Sequence, residues 1–241
     1  MTLLPRIGYA DSLPLAKNAV LVHGAYADAS CWLAVIPYLQ EAGLNVMAVQ
    51  NPLTSFADDV EATKRILALL DGPTVLVGHS YAGMIITETG VDPKVTALVY
   101  VAARAPDAGE DYTALAATYP KPPASSGLVH AGGFAQLSEA AFIRDFAGDL
   151  PAPKAKALYA VQGRISDTLF NAKTTVAAWR SKPSWYAVSK NDRTIDPDLE
   201  RFMAKRMGAT TVELDASHVS LISQPLAVAQ LILAAAGQPE K

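Results

Sequence analysis

Residues 74–90 read TVLVGHSYAGMIITETG, an apolar run that leads into a tight turn around Ser80 and then into a helix-forming stretch. A sharp strand-to-helix turn presents the serine Oγ beyond the carboxyl end of the strand, and the first N–H groups of the helix point toward the same place. The pattern departs from G-x-S-x-G, because Ala82 occupies the second small position and glycine follows at Gly83. We predict that Ser80 is a nucleophile; the alternative is an ordinary serine in a tight βα turn.

On both sides of this stretch, short β-branched runs alternate with segments of helical character. Such alternation is typical of a parallel sheet covered by helices, so the predicted fold class is α/β. The runs interpreted as strands are 19–23, 45–50, 74–78, 95–102, 185–189 and 210–214. Capping residues predict helices from Ser30 to Ala42, after Ser55, after Asp196, and from about Ser223 to Gly237.

One long segment interrupts the alternation. Between residues 104 and 183 no strand is recognisable, while helical character returns around 137–149 and 154–161. We therefore predict one α/β domain with an insertion over one edge of the sheet. The predicted division is a core of residues 1–104 and 184–241 and a small helical cap at 105–183.

Length, charge and composition exclude several classes of protein. Of the 241 residues, 51% are hydrophobic and 18% are charged, and the net charge is −3. High apolar content with low net charge excludes a disordered chain, and the lack of a basic block argues against a nucleic-acid partner. The single cysteine, Cys31, rules out an intrachain disulfide and a cysteine-rich zinc site.

The sequence also bears on the compartment and the oligomeric state of the protein. No apolar run is long enough to span a membrane, and residues 1–18 lack the continuous apolar core of a secretion signal. A cytoplasmic location is therefore expected, although a chain from which a leader had been removed would look the same. A homodimer is compatible with the sequence.

Five stretches, in order along nearly the whole chain, resemble a known family. They are VLVHGAYADASCW (20–32), VLVGHSYAGM (75–84), LVYVAARAPDAGE (98–110), SKNDRTI (189–195) and SHVSLISQP (217–225). The chain resembles small serine hydrolases of the α/β-hydrolase superfamily, in the group that holds bacterial carboxylesterases, plant methyl esterases and hydroxynitrile lyases. Together with the six predicted strands, the resemblance implies an α/β-hydrolase fold: a mainly parallel, six-stranded sheet with helices on both faces and a small helical cap.

A serine hydroxyl needs a general base at neutral pH, and the chain has four histidines. His218 follows the last predicted strand in a loop at the carboxyl edge of the sheet, so we predict that it is the base. His23 is structural in similar proteins, His79 adjoins the serine and is expected to point elsewhere, and His130 lies in the predicted cap.

The carboxylate that orients the base is expected in the loop after the preceding strand. Asp192 lies there and gives the chain order serine, acid, histidine that this fold uses. Of its three rivals, Asp196 and Asp198 belong to the start of a predicted helix, and Asp215 shares the loop of the histidine. Asp192 is favoured because a separate strand end approaches the imidazole more naturally.

A tetrahedral intermediate needs two hydrogen-bond donors at its oxyanion. One is predicted to be the N–H of Tyr81, the residue after the serine, and the resemblance places the other at Ala25. Tyr26 and Trp32 are candidate pocket residues between the sheet edge and the cap, with core packing as the alternative for each. No cofactor and no metal are implied, and the expected partner is a small-molecule ester.

Ester hydrolysis through an acyl-enzyme is the predicted reaction. Hydroxynitrile lyases of this group carry a lysine after the histidine and a threonine in the oxyanion loop, where this chain has Val219 and Gly24. Perhydrolase or lactonase activity of the same triad and a non-catalytic ligand-binding protein stay open as alternatives. Tyr186 and Lys190 match the Y-x-x-x-K spacing of short-chain dehydrogenases, but that motif belongs on a helix and no glycine-rich dinucleotide turn follows the first strand.

Overall fold

The computed structural model describes residues 15–238, so most of the N-terminal stretch interpreted as lacking a secretion signal lies outside the described residues. The strands, in chain order, are β1 (Asn18–Val22), β2 (Asn45–Val49), β3 (Thr74–His79), β4 (Val95–Val101), β5 (Leu128–Ala131), β6 (Phe134–Leu137), β7 (Ile165–Ser166), β8 (Ser184–Ser189) and β9 (Thr210–Leu214). The α-helices are α1 (Ile36–Glu41), α2 (Phe56–Ala68), α3 (Ala82–Thr89), α4 (Tyr112–Ala116), α5 (Glu139–Ala141), α6 (Ala152–Ala160), α7 (Pro197–Met207), α8 (Ser220–Ser223) and α9 (Pro225–Ala235). None of the helices within this range combines the length and apolar character needed to cross a membrane.

Six parallel strands form the main sheet, in the order β2-β1-β3-β4-β8-β9. The four interior strands are buried along almost their whole length, which explains why each reads as a continuous apolar run. Helix α9 packs on β4 and β8 and against α1, whereas α3 packs on β3 and against α2. The predicted fold class and the six-stranded sheet are confirmed.

Two of the predicted helix starts have the expected caps. The Ser55 hydroxyl accepts a hydrogen bond from the Asp58 N–H at the start of α2, and the Asp196 carboxylate accepts two from the first turn of α7. Helix α7 ends at Gly208, which has the left-handed conformation typical of a C-terminal glycine. These local signals were sufficient to locate both helices.

The prediction of one continuous helix at 30–42 is wrong. The structure divides it into a 3₁₀ turn at Ala29–Trp32 and the short helix α1. Pro37 lies in the first turn of α1 and has no N–H to continue a helix from the preceding turn.

The segment between β4 and β8 contains strands, which corrects the expectation that it is helical throughout. Strands β5, β6 and β7 form a small antiparallel sheet. Gly132 and Gly133 connect β5 to β6, with φ of +60° and +80°, as a two-residue hairpin requires. Helices α5 and α6 lie where helical character was predicted, and α5 runs on into a π-helical turn at Phe142–Phe146.

All six main strands point the same way, so their carboxyl ends share one edge. The loops after β1, β3, β8 and β9 meet at this edge, and the long segment begins there, after β4. In open α/β sheets this is the edge where ligands bind.

Candidate active site

Ser80 follows β3 directly, and α3 begins two residues later, at Ala82. Ser80 has φ of +56°, a left-handed conformation that is strained for a residue with a side chain. Two backbone hydrogen bonds hold it: the Ser80 N–H donates to the Val101 carbonyl at 3.1 Å, and the Ser80 carbonyl accepts from the Arg104 N–H at 3.0 Å. The strained turn is thus fixed from the neighbouring strand, β4.

Close backbone approaches surround the serine. A Cβ atom on Gly24 would lie 2.6 Å from the Ser80 Cβ, and a Cβ atom on Gly83 would lie 2.0 Å from the Arg104 carbonyl oxygen. Ala82, in contrast, fits its methyl group into the core. This explains the departure from G-x-S-x-G, because glycine is required where α3 crosses the end of β4, one residue later than the usual pattern.

Three predicted residues lie within hydrogen-bond distance of one another. The His218 Nε2 is 2.8 Å from the Ser80 Oγ, and the His218 Nδ1 is 2.5 Å from the Asp192 Oδ2. The other carboxylate oxygen of Asp192 accepts hydrogen bonds from the N–H groups of Thr194 and Ile195, at 2.6 and 2.9 Å. All three side chains are buried. The arrangement can pass a proton from the serine to the imidazole and stabilise the resulting imidazolium.

The rival carboxylates are engaged elsewhere. Asp215 is largely exposed and forms an ion pair with Lys190 at 2.7 Å. Asp196 caps α7, and Asp198 pairs with Arg201 on the same helix.

Two further histidines brace the loops of the site. The His79 Nε2 donates to the His218 carbonyl at 2.9 Å, and burial holds the pKa of His79 well below its ordinary value, so the ring is neutral. The His23 Nδ1 donates to the Gly24 carbonyl, and its Nε2 accepts from the Asn51 N–H, both at 2.9 Å. Burial lowers the pKa of His23 as well. Both imidazole rings are therefore neutral and position the loops of the site through hydrogen bonds to backbone groups.

The two predicted oxyanion donors flank the serine. The loop after β1 runs beside Ser80, since a Cβ atom on Gly24 would be 3.3 Å from the Ser80 Oγ. The N–H groups of Ala25 and Tyr81 find no protein acceptor within residues 15–238. Two N–H groups left without partners beside a nucleophile are what an oxyanion requires.

A buried carboxyl group anchors the side chain of Tyr81. The Tyr81 hydroxyl donates to the Asp59 Oδ2 at 3.0 Å, and the Leu53 N–H donates to the Asp59 Oδ1 at 2.8 Å. Asp59 is fully buried, and desolvation raises its pKa to about 6. Asp59 was not recognised from the sequence, where it reads as one of the polar residues of an amphipathic helix.

A second buried acid lies behind Asp192. Glu200 is fully buried on α7, and one of its oxygens accepts from the Ser189 N–H at 3.1 Å. Burial, and secondarily the negative charge of Asp192, hold the pKa of Glu200 well above its usual range. The other oxygen of Glu200, Oε1, has no hydrogen-bond partner within residues 15–238, so the buried carboxyl group favours its uncharged, protonated form.

The long segment contacts the histidine loop through side chains. The Phe146 ring packs on His218 with a centroid distance of 5.0 Å and meets Tyr26 edge-on at 6.2 Å. The Ser217 N–H and hydroxyl both donate to the Asp149 carboxylate, at 2.9 and 2.5 Å. Neither residue gave a recognisable sequence signal, because the partners are about 70 positions away.

Two cavities adjoin the site and share Tyr26 as a wall. The smaller, of about 10 Å³, is also lined by His79 and Phe146, and the larger, of about 200 Å³, by Arg104. Trp32 is fully buried in the core and lines neither cavity, which corrects its assignment as a pocket residue. Within residues 15–238, no group of three or more His, Cys, Asp or Glu side chains could hold a metal ion.

Comparisons with known proteins agree with this architecture. An alpha/beta hydrolase of Aspergillus novofumigatus, nvfD, is 26% identical over 247 residues, covering 93% of this chain and 98% of its own. A carbendazim hydrolyzing esterase of Nocardioides is 31% identical over 48% of this chain and 53% of its own. Polyneuridine aldehyde esterase of Rauvolfia serpentina is 33% identical over 40% of this chain and 42% of its own.

The solved structure of polyneuridine aldehyde esterase superimposes with a TM-score of 0.76 at 22% identity, over 91% of this chain and 98% of that one. This likeness concerns the fold. Residues 19–231 match the model of the alpha/beta hydrolase family, and the chain therefore belongs to that family.

Proposed function

We propose that the protein is a serine carboxylesterase that hydrolyses small esters through an acyl-enzyme. The observation that carries this proposal is the hydrogen-bonded series Ser80, His218 and Asp192 beside two N–H groups without acceptors. Two of the relatives are named esterases, which supports the same reaction class.

The first half of the proposed mechanism forms the acyl-enzyme. The Ser80 Oγ attacks the ester carbonyl while the His218 Nε2 takes its proton, and Asp192 stabilises the imidazolium. The N–H groups of Ala25 and Tyr81 stabilise the oxyanion. When the tetrahedral intermediate collapses, His218 returns the proton to the leaving alcohol.

The second half releases the acid. A water molecule enters, His218 takes one of its protons, and the resulting hydroxide attacks the acyl carbon. Collapse of the second tetrahedral intermediate breaks the bond to Ser80, which regains its proton from His218. The two N–H groups serve both oxyanions in turn.

Residues 105–183 are proposed as the cap of a core formed by 1–104 and 184–241. The contacts of Phe146 with His218 and of Asp149 with Ser217 support this division. Tyr26, which lines both cavities, is proposed to separate the acyl side from the alcohol side. A cytoplasmic location and a homodimer stay predictions, to be measured by cell fractionation and size-exclusion chromatography.

Two observations weigh against hydroxynitrile lyase chemistry. A Cβ atom on Gly24 would collide with Ser80, so this backbone has no room for threonine there. Val219, in the position of the lysine, is buried and uncharged. Perhydrolase and lactonase reactions use the same triad and are tested by adding peroxide or a lactone to the esterase assay.

The direct test is labelling with a fluorophosphonate followed by peptide mapping. We expect the label on Ser80, no label on Ser80→Ala, and hydrolysis of p-nitrophenyl acetate that stops when the label is attached. A protein that binds esters without turnover and resists the label would be a binding member of the family, and the proposal would be wrong.

A further inference from the structure

The cavity of about 200 Å³ is built from residues directly joined to the site. Tyr26 follows the proposed oxyanion residue Ala25 along the chain. The Arg104 N–H holds the Ser80 carbonyl, and the Ile195 N–H holds the Asp192 carboxylate. Two walls thus come from the loops of the proposed oxyanion donor and acid, and the third comes from the segment after β4, which is hydrogen-bonded to the backbone of the proposed nucleophile.

Arg104 is the cation of this cavity. It is half-buried, and its guanidinium lies over the Tyr112 ring, 4.6 Å from the centroid. Within residues 15–238 it forms no ion pair and no side-chain hydrogen bond. Other arginines are paired with carboxylates of the protein: Arg144, Arg180, Arg193, Arg201 and Arg206.

Several other polar side chains of the cavity are already engaged by the protein. The hydroxyls of Thr113, Ser125 and Thr194 each donate to a backbone carbonyl. The Asp196 carboxylate accepts the N–H groups that begin α7. Arg104 therefore supplies the positively charged hydrogen-bond donor of the cavity, beside the hydroxyls of Tyr26 and Tyr112, in a partly desolvated place where leaving a guanidinium without an anion is costly.

We propose that Arg104 binds a carboxylate on the acyl part of the substrate, so that the preferred substrates are half-esters of short dicarboxylic acids with a small alcohol. This inference rests on the proposed esterase function. A guanidinium matches a carboxylate with two parallel hydrogen bonds. The larger part of such an ester is its acyl chain, which suits the larger cavity, while the cavity of about 10 Å³ on the other side of Tyr26 has room for no more than about one methyl-sized group.

The test compares monomethyl glutarate with methyl valerate, a neutral ester of the same acyl length, by titrating the acid released. The quantity measured is the ratio of kcat/KM for the two esters. In Arg104→Gln we expect this ratio to fall by at least about tenfold, mainly through KM, as expected for loss of a charge-assisted pair. Arg104→Lys keeps the charge and should retain part of the preference.

Arg65 provides the matched control, because it is an exposed arginine of α2 with no ion pair in the described part of the chain. Arg65→Gln should leave the ratio unchanged. If the wild type hydrolyses methyl valerate and the ratio is the same in Arg104→Gln, the inference is wrong while the esterase function stands.

If the wild type hydrolyses neither ester, the binding of glutarate decides. Titration calorimetry of Ser80→Ala against Ser80→Ala/Arg104→Gln should show at least about tenfold weaker binding in the double variant. Equal binding, or none to Ser80→Ala, overturns the inference. If Arg104→Gln does not fold, Arg104→Lys answers the same question, because an ammonium group cannot form the two parallel hydrogen bonds: a lower ratio with weaker glutarate binding supports the contact, and an unaltered ratio with unaltered binding contradicts it.

Discussion

The two sides of the candidate site are built in different ways. On the side of the main sheet, the backbone positions the serine: a strained φ at Ser80, hydrogen bonds from β4, and glycine at Gly83 where α3 meets the Arg104 carbonyl. On the side of the long segment, side chains such as Phe146 and Asp149 hold the histidine loop. Backbone constraints are hard to alter, whereas side-chain contacts are replaceable one at a time.

This comparison separates chemistry from specificity. In the proposed reaction, the backbone side carries the atoms that react with every ester, and the long segment contributes to the walls of the cavities that would receive the variable parts of the substrate. Changes on the sheet side should therefore be large and independent of substrate. Changes on the segment side should be smaller.

The largest effect is expected for Ser80→Ala. Removing the proposed nucleophile should lower kcat by at least about a thousandfold, because the remaining groups cannot form an acyl-enzyme. Hydrolysis of p-nitrophenyl acetate measures this loss. Ser189→Ala is the control, since Ser189 is a buried serine whose hydroxyl has no partner in the described structure, and it should stay within about threefold of wild type. Equal losses in both variants would contradict the assignment.

Gly83→Ala tests the backbone side directly. A Cβ atom 2.0 Å from a carbonyl oxygen forces α3 away from the end of β4. We therefore expect the free energy of unfolding to fall by roughly 3 kcal/mol or more. Gly43→Ala is the matched control, because Gly43 has φ of +88° but open space around it. This substitution should lower the free energy of unfolding by only about 1 kcal/mol. Urea unfolding of both variants checks the difference, and comparable losses would show that the close approach is relaxed easily.

The buried acid of the sheet side should make stability depend on pH. The pKa of Asp59 is raised to about 6, above the unfolded value of about 3.9, so the folded state binds this proton more tightly. The stabilisation that the Asp59 proton gives the folded state is fully present below about pH 4 and is lost as the pH rises through about 6.

The Asp59→Asn variant lacks the titrating group at position 59 and keeps all other titratable groups. A comparison with wild type therefore isolates the pH dependence due to Asp59. The free energy of unfolding of wild type minus that of Asp59→Asn should fall by on the order of 2 kcal/mol between about pH 4 and pH 8. Urea unfolding at several pH values measures it. A difference that is constant with pH would mean that Asp59 is ionised throughout.

The smallest effect is expected from the segment side. Asp149→Ala removes the acceptor of both Ser217 hydrogen bonds and loosens the loop of His218. We expect kcat to fall by roughly fivefold to tenfold with little change in KM, because loss of a charge-assisted hydrogen bond at this distance affects alignment and not binding. Asp215→Ala, which removes an exposed carboxylate from the same loop, should change kcat by less than about twofold. Similar losses in the two variants would argue that the segment has no such role.

The sheet side of the site could be predicted from the sequence better than the side of the long segment. The six main strands and the turn at Ser80 are signalled by neighbours along the chain, and the structure gives each main strand within one residue of its prediction. His218 and Asp192 could be predicted because each follows a recognisable strand. Their geometry agrees with a triad, and their catalytic role stays a prediction.

The rest depends on contacts between distant residues. Asp59, Glu200 and Asp149 are ordinary polar residues in their local sequence, and their roles arise only when another element covers or contacts them. Trp32 was a candidate pocket residue with core packing as the alternative, and it lies in the core, because an aromatic side chain near the site can point to the core as easily as to the cavity. The β5–β6 hairpin did have a local signal, the glycine pair 132–133, which is typical of a two-residue hairpin turn.

The hydrogen bond between Ser80 and His218 joins positions 138 residues apart, at the ends of strands that are not neighbours in the sheet. Long-range parallel pairings form slowly, and a slip of one residue in β8 or β9 would turn its side chains to the opposite face. Helical content can therefore recover after denaturation before the hydroxyl and the imidazole meet. Catalytic turnover should return last during refolding, which makes it a sensitive reporter of whether the whole sheet has assembled in register.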